Sequence, residues 1–184
     1  MLWLRTGAKV GGHSDYHGLT VALALTVAIW AISPVSALDA ADSAAPAFRV
    51  EGQVATPLAL SASDIAGLPR AKVAVSDDSG AKTEYEGVAV VDILRRAGAP
   101  LGEALRGPRM TMYVVARGSD GYQVVFALAE FDPAFSNQVI LLADRRDGQP
   151  LNKREGPLRI IVPEDKRHGR WVRGVVALAL GNVQ

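Results

Sequence analysis

The 184-residue chain contains no cysteine. That one absence removes disulfide scaffolds, thiolate zinc sites, iron–sulfur clusters and cysteine nucleophiles together. Histidine is nearly absent as well: of the three, His13 and His17 lie in an N-terminal segment with the character of a leader, so His168 alone remains for the domain. A multi-histidine metal centre is thereby excluded, and a Ser–His–acid triad lacks the Gly-x-Ser-x-Gly elbow that would present its nucleophile. Net charge is also scarce. A formal charge of +1 is too small for the electrostatic footprint of nucleic-acid binding, so nucleic acid is not an expected partner. Aromatic residues make up only 6% of the chain, yet hydrophobic residues reach 49% and charged ones 21%, the balance of a single globular domain.

Long apolar runs are missing too, with one exception. Leu19 to Ile32 is a 14-residue uncharged stretch, preceded by Arg5 and Lys9 and followed by Ser33-Pro34-Val35-Ser36-Ala37. A spanning helix needs about 20 apolar residues, so this layout predicts a signal peptide over residues 1–37, cut after Ala37. Membrane attachment is expected only if the leader stays uncut. No twin arginines occur in it, which favours export of an unfolded chain to the periplasm or outside the cell. Residues 38–47 are rich in Ala, Ser and Asp and read as a flexible leader, which leaves 48–184 as the folded domain.

Charge is polarised within that domain. Asp39 to Asp92 holds nine acids against four bases, whereas Lys153 to Arg173 holds seven bases against three acids. The basic segment is either an anion site or a solvated face that pairs with the acidic half.

Along the domain, period-two alternation predicts strands near Phe48–Val50 and Pro57–Leu60. Further strands are expected over Lys72–Ser76, Lys82–Glu86, Met110–Ala116, Tyr122–Ala127, Val139–Ala143, Leu158–Val162 and Trp171–Leu180. Ser61 with Asp64 resembles a capping box that opens a short helix ending near Gly67. Val90 to Ala97 changes to helical period, placing Val90, Ile93, Leu94 and Ala97 on one face, with Gly98 as the left-handed terminator. One helical turn is expected over Leu128–Phe131. Turns are expected at Asp77-Asp78-Ser79-Gly80, Gly118-Ser119-Asp120-Gly121 and Arg145-Arg146-Asp147-Gly148. Eight or nine strands with two or three short helices make a β-dominated α+β domain.

The chemistry concentrates between Gly156 and Arg173. Arg159 sits inside the apolar run Leu158–Val162, where a guanidinium must reach solvent, an anionic ligand or an internal acid. Lys166, Arg167, His168 and Arg170 form a donor-rich loop, and Trp171 supplies a flat wall. Two outcomes are open: a pocket edge for a phosphate or planar heterocycle, or an internal ion pair with Trp171 filling the core.

Four blocks, in order, carry a family likeness. They are Tyr85-Glu86-Gly87-Val88 running into Val91-Asp92-Ile93-Leu94 and Ala97-Gly98; Asp120-Gly121-Tyr122; Leu141-Leu142-Ala143 with Asp147-Gly148-Gln149-Pro150-Leu151; and Gly156 to Pro163 ending in Trp171-Val172-Arg173. With them the chain resembles the molybdopterin-binding domain of the sulfite oxidase type. The resemblance implies that fold, a β-dominated mixed α+β domain whose pterin cofactor, molybdopterin, lies in a cleft lined by donors from several loops. It also implies a metal held by the pterin dithiolene and by a cysteine at the end of the strand before the helix. Ser76 stands where that thiolate is expected, and a hard alkoxide oxygen tunes a metal differently from a soft thiolate.

Two functions follow. One is an exported, atypical or cofactor-free protein of this fold that binds a small anionic or pterin-like ligand, or a partner protein, through Ser76, Arg159, Lys166, Arg167, His168 and Arg170, with no metal ligand. The alternative is a molybdenum-dependent, sulfite-oxidase-like oxidoreductase with Ser76 in place of the cysteine.

Overall fold

A computed structural model describes residues 47–76 and 80–183. The leader over residues 1–37, most of the segment 38–47 and three residues of the Asp77–Gly80 turn lie outside the described residues.

Ten strands and two short α-helices, with four single 3-10 turns, make up the described domain. In one sheet β2 (Leu58–Leu60), β1 (Phe48–Gly52), β10 (Val175–Asn182), β5 (Met112–Gly118) and β6 (Gln123–Ala127) lie side by side in that order. The other sheet runs β3 (Arg70–Ser76), β4 (Lys82–Ala89), β7 (Leu141–Arg146) and β8 (Gln149–Pro150), with β9 (Arg159–Ile161) also paired to β7. The β1 and β10 strands run parallel, Arg49 opposite Ala177, while every other pairing is antiparallel. Both sheets contribute to one apolar core. Phe48, Val114 and Leu178 enter it from the first sheet, and Val88, Leu142 and Ile160 from the second. Among the described residues no helix is long and apolar enough to cross a membrane.

The helices form where local chemistry predicts them. Ser61 caps α1 (Ala62–Ala66), accepting from the Asp64 amide at 3.1 Å while the Asp64 carboxylate accepts from the Ser61 amide at 2.8 Å. In α2 (Val90–Arg96) the predicted face Val90, Ile93, Leu94 and Ala97 is wholly buried, and Gly98 leaves the helix at φ +73°.

Several strand boundaries differ from the expected ones, and two of the differences build the site. The expected strand Val139–Ala143 begins at Leu141 and continues through Arg145 and Arg146, two residues of the expected turn. Asp147 and Gly148 supply the two consecutive positive φ values, 49° and 77°, that a tight hairpin requires, so the arginines stay in the ladder. Arg146 thereby faces Tyr85 across β4 and β7. Likewise, the expected strand Trp171–Leu180 starts at Val175, because Gly174 at φ +52° breaks the pleat. Trp171, Val172 and Arg173 are released to run beside β9, with Arg173 bridged to Arg159. Met110 and Thr111 belong to a 3-10 turn rather than to β5.

Candidate functional site

Arg159 opens β9 and is 5% exposed. Burial obliges such a group to find an anion, and it does: Nη1 donates to Oε1 of Glu155, one turn back on the Asn152–Gly156 loop. Arg146 Nη1 stands 3.7 Å from the same oxygen. The Arg159 Nε is buried without a partner among the described residues. Burial pulls the Arg159 guanidinium below its ordinary range; Tyr85 and Glu155 oppose that fall, and the guanidiniums of Arg173 and Arg146 deepen it. Arginine is a cation at neutral pH, so three cations lie near one another; Glu155 stands between Arg159 and Arg146, Asp147 lies 3.6 Å from the Arg146 Nε, and Asp120 lines the concavity that holds Arg173.

Aromatic groups wall this cluster. The Arg159 Cζ lies 5.3 Å from the Trp171 ring centroid and the Arg146 Cζ 5.9 Å from that of Tyr85. Tyr85 meets Trp171 edge-on at 5.7 Å and 89°. Trp171 is only 4% exposed and belongs to the apolar core, its indole N–H donating to the Val162 carbonyl at 3.0 Å. With Arg159 paired to Glu155, the second expected outcome, an internal ion pair beside a core tryptophan, is the one observed. The exposed His168 ring stacks on the indole at 3.7 Å and 18°. The Tyr122 hydroxyl donates to the Gly169 carbonyl at 2.7 Å, which ties the His168 turn to the β5–β6 hairpin.

Three concavities meet at His168. One, of about 310 Å³, is lined by Arg159, Arg173, Trp171, Tyr122 and Asp120. A second, of about 210 Å³, lies between Tyr85, Arg146, Glu155, Arg159 and Trp171. The third, of about 590 Å³, is lined by Ser76, Lys166 and Arg167 together with Glu164 and Asp165, so its formal charges balance.

The six residues singled out in the sequence therefore divide. Arg159 and His168 share the first two concavities, while Ser76, at the end of β3, shares the third with Lys166, Arg167 and His168. The structure does not bring Arg170 into either group. Its Nε and Nη2 donate to Asp165 at 2.9 and 2.6 Å, its Nη1 to Glu130 at 2.6 Å, and its Cζ lies 4.9 Å from the Phe126 ring centroid. Hydrogen bonding to Asp165, and then to Glu130, raises the Arg170 pKa beyond its ordinary value, so this cation is a structural tie. Sequence reasoning missed Arg146 and Glu155. Arg146 joins the site through the β4–β7 register, and Glu155 through a loop closed by Asn152, neither of which has a local signature.

The described residues offer no protein-ligated metal centre. The chain has no cysteine, and no cluster of three or more histidine or acidic residues among the described ones could hold a metal ion. Ser76, expected at the ligand position, ends β3, whereas β4 is the strand that leads directly into α2, and Ser76 shares its concavity with two carboxylates and two cations. The residues present thus fail to supply the thiolate that the resemblance implies for molybdenum.

A family model described as the oxidoreductase molybdopterin binding domain matches residues 35–181. The chain belongs to that family. Among solved structures, this family member is similar to the sulfane dehydrogenase SoxCD from Paracoccus pantotrophus, with a TM-score of 0.57 and 19% sequence identity over 72% of the chain. It spans 37% of that protein's chain, and at this identity the likeness establishes the shared sulfite oxidase-like fold. No curated protein matches the molybdopterin-domain chain.

Proposed function

We propose that this member of the molybdopterin-binding domain family is a ligand-binding module that takes up a small anion in the cleft of Arg146, Arg159 and Arg173 without a protein-ligated metal. One observation carries the reading: the buried Arg159 lines two adjoining concavities, one shared with Arg146 and Glu155 and the other with Arg173 and Asp120, so cations are concentrated on both sides of Trp171. Charge-assisted hydrogen bonds from guanidiniums are strong and directional, and the exposed His168 ring that covers the Trp171 face marks where the flat body of a ligand would stack. Lys166, Arg167 and His168 border the adjoining concavity and extend the donor set toward Ser76. Export belongs to the same proposal: the leader pattern Arg5, Lys9, Leu19–Ile32 and Ala37 supports delivery to the periplasm or medium. The ligand is a small molecule or an acidic element of a partner protein, and nucleic acid has no part in it.

Calorimetry with benzoate and inorganic sulfate tests the cleft. Arg173 forms no ion pair among the described residues, so Arg173→Ala removes a donor without stranding an acid. We expect that variant, and Arg146→Ala, each to lose about 1.4 kcal/mol, or about tenfold in affinity. Unchanged affinity in both would overturn the reading.

A second function, a molybdenum-dependent oxidoreductase using Ser76, is favoured by the placement of Ser76 beside Lys166, Arg167 and His168. Elemental analysis of protein isolated from its native compartment decides between the two. Stoichiometric molybdenum that disappears in Ser76→Ala establishes the second and excludes the first.

A further inference from the structure

Glu155 stands between two of the guanidiniums, those of Arg159 and Arg146. Its side chain is only 13% exposed, and its two oxygens are held separately. Oε1 accepts from Arg159 and stands 3.7 Å from Arg146, while Oε2 accepts from the Asn152 amide at 2.9 Å. Glu155 lines the 210 Å³ concavity together with Tyr85, Trp171 and His168, whose ring stacks on the indole. A resident planar two-oxygen anion next to a resident flat ring reproduces within the chain the outline of an aromatic carboxylate.

We propose that Glu155 is an internal counter-ion that competes with ligand, and that the cleft accepts a small carboxylate-bearing aromatic compound by displacing it from Arg159 and Arg146. This rests on the anion-binding reading above and adds to it the residue that sets affinity and the chemical class of the ligand. Displacement requires Glu155 to leave without being stranded. It sits on a short loop in which Asn152, Lys153 and Arg154 are exposed, so water and two cations are at hand for the released carboxylate. On arrival, the ligand carboxylate inherits two guanidiniums already crowded by Arg173, and its ring takes the indole face when His168 swings outward. Carboxylate is favoured over a tetrahedral oxyanion because the group displaced is itself a planar carboxylate, held by Arg159 in a concavity that Tyr85 and Trp171 also line. No bond is made or broken in the exchange.

The test is calorimetric titration of full-length mature protein with benzoate and with sulfate, in wild type and in Glu155→Gln. Gln keeps the shape but removes the competing charge. An apparent affinity is reduced by the fraction of protein that is open, so a plug closed about nine-tenths of the time costs about tenfold. We expect Glu155→Gln to bind benzoate about tenfold more tightly than wild type, with a smaller gain for sulfate. Its melting temperature should also rise more steeply with added benzoate than that of wild type. If Gln leaves Arg159 too poorly paired to fold, Glu155→Asp carries the test. It retains the charge but draws it back by one methylene, and a severalfold gain is expected. Equal benzoate affinity in wild type and in the folded variants overturns the competition while leaving the anion cleft standing, provided Arg173→Ala still weakens binding. A larger gain for sulfate than for benzoate overturns the carboxylate class. Absence of binding in every form overturns both this inference and the reading beneath it.

Discussion

Arg159 and Arg170 are eleven positions apart in one basic segment, and the fold gives them opposite roles. Arg170 is a half-buried cation with two carboxylate partners, Asp165 and Glu130. Arg170→Ala would leave those acids facing each other, and with solvent screening the expected loss is about 1 to 2 kcal/mol in urea unfolding. Benzoate affinity should stay unchanged, since Arg170 lines neither guanidinium-rich concavity. At the other end of the domain, Asp64 is held below the ordinary carboxylate value of 3.8 chiefly by the Ser61 backbone amide, then by the Ser61 hydroxyl. A lowered folded-state pKa stabilises above the unfolded value, and that contribution is lost as pH falls through the folded value. The stability gap between wild type and Asp64→Asn should therefore be constant near neutrality and close as the pH drops below 3.8, as read by chemical denaturation at stepped pH.

At the scale of elements, the β4–β7 pairing sets the site, because it alone places Arg146 opposite Tyr85. A β-bulge between Glu86 and Gly87 interrupts it, and there the two backbones approach so closely that a Cβ on Gly87 would stand 2.1 Å from the Leu142 carbonyl oxygen. Gly87→Ala should force the strands apart and destabilise the domain by about 2 kcal/mol or more. Benzoate binding should weaken with it, as Arg146 moves off Glu155. A preserved melting temperature in that variant would show the strands to be freer than their spacing indicates. The element types themselves were legible locally: the Ser61–Asp64 box, the 3.6-residue period of α2 and the alternation of β5 each rest on short-range physics. The boundaries at Arg146 and Gly174 were less so, since Arg-Arg-Asp-Gly is read as a turn until one knows which two residues adopt positive φ.

For the whole molecule, the decisive strand is the last one. β10 lies between β1 and β5 in the middle of the first sheet and brings Leu178 and Leu180 into the core. A chain ending at Gly174 would retain every site residue yet expose both neighbouring strand edges, and we expect it to lack a cooperative thermal transition by circular dichroism. Composition, the absence of cysteine, the β-dominated fold and the family likeness were determined by the sequence itself, because each depends on residue type or on order along the chain. The charge of the cleft was decided by tertiary structure alone. A run of seven bases becomes an anion site only where distant acids leave some of them unpaired, and that sorting is a matter of through-space distance. Glu130 and Asp165 claim Arg170, Glu155 stands between Arg146 and Arg159, and Arg173 faces the opening unpaired among the described residues.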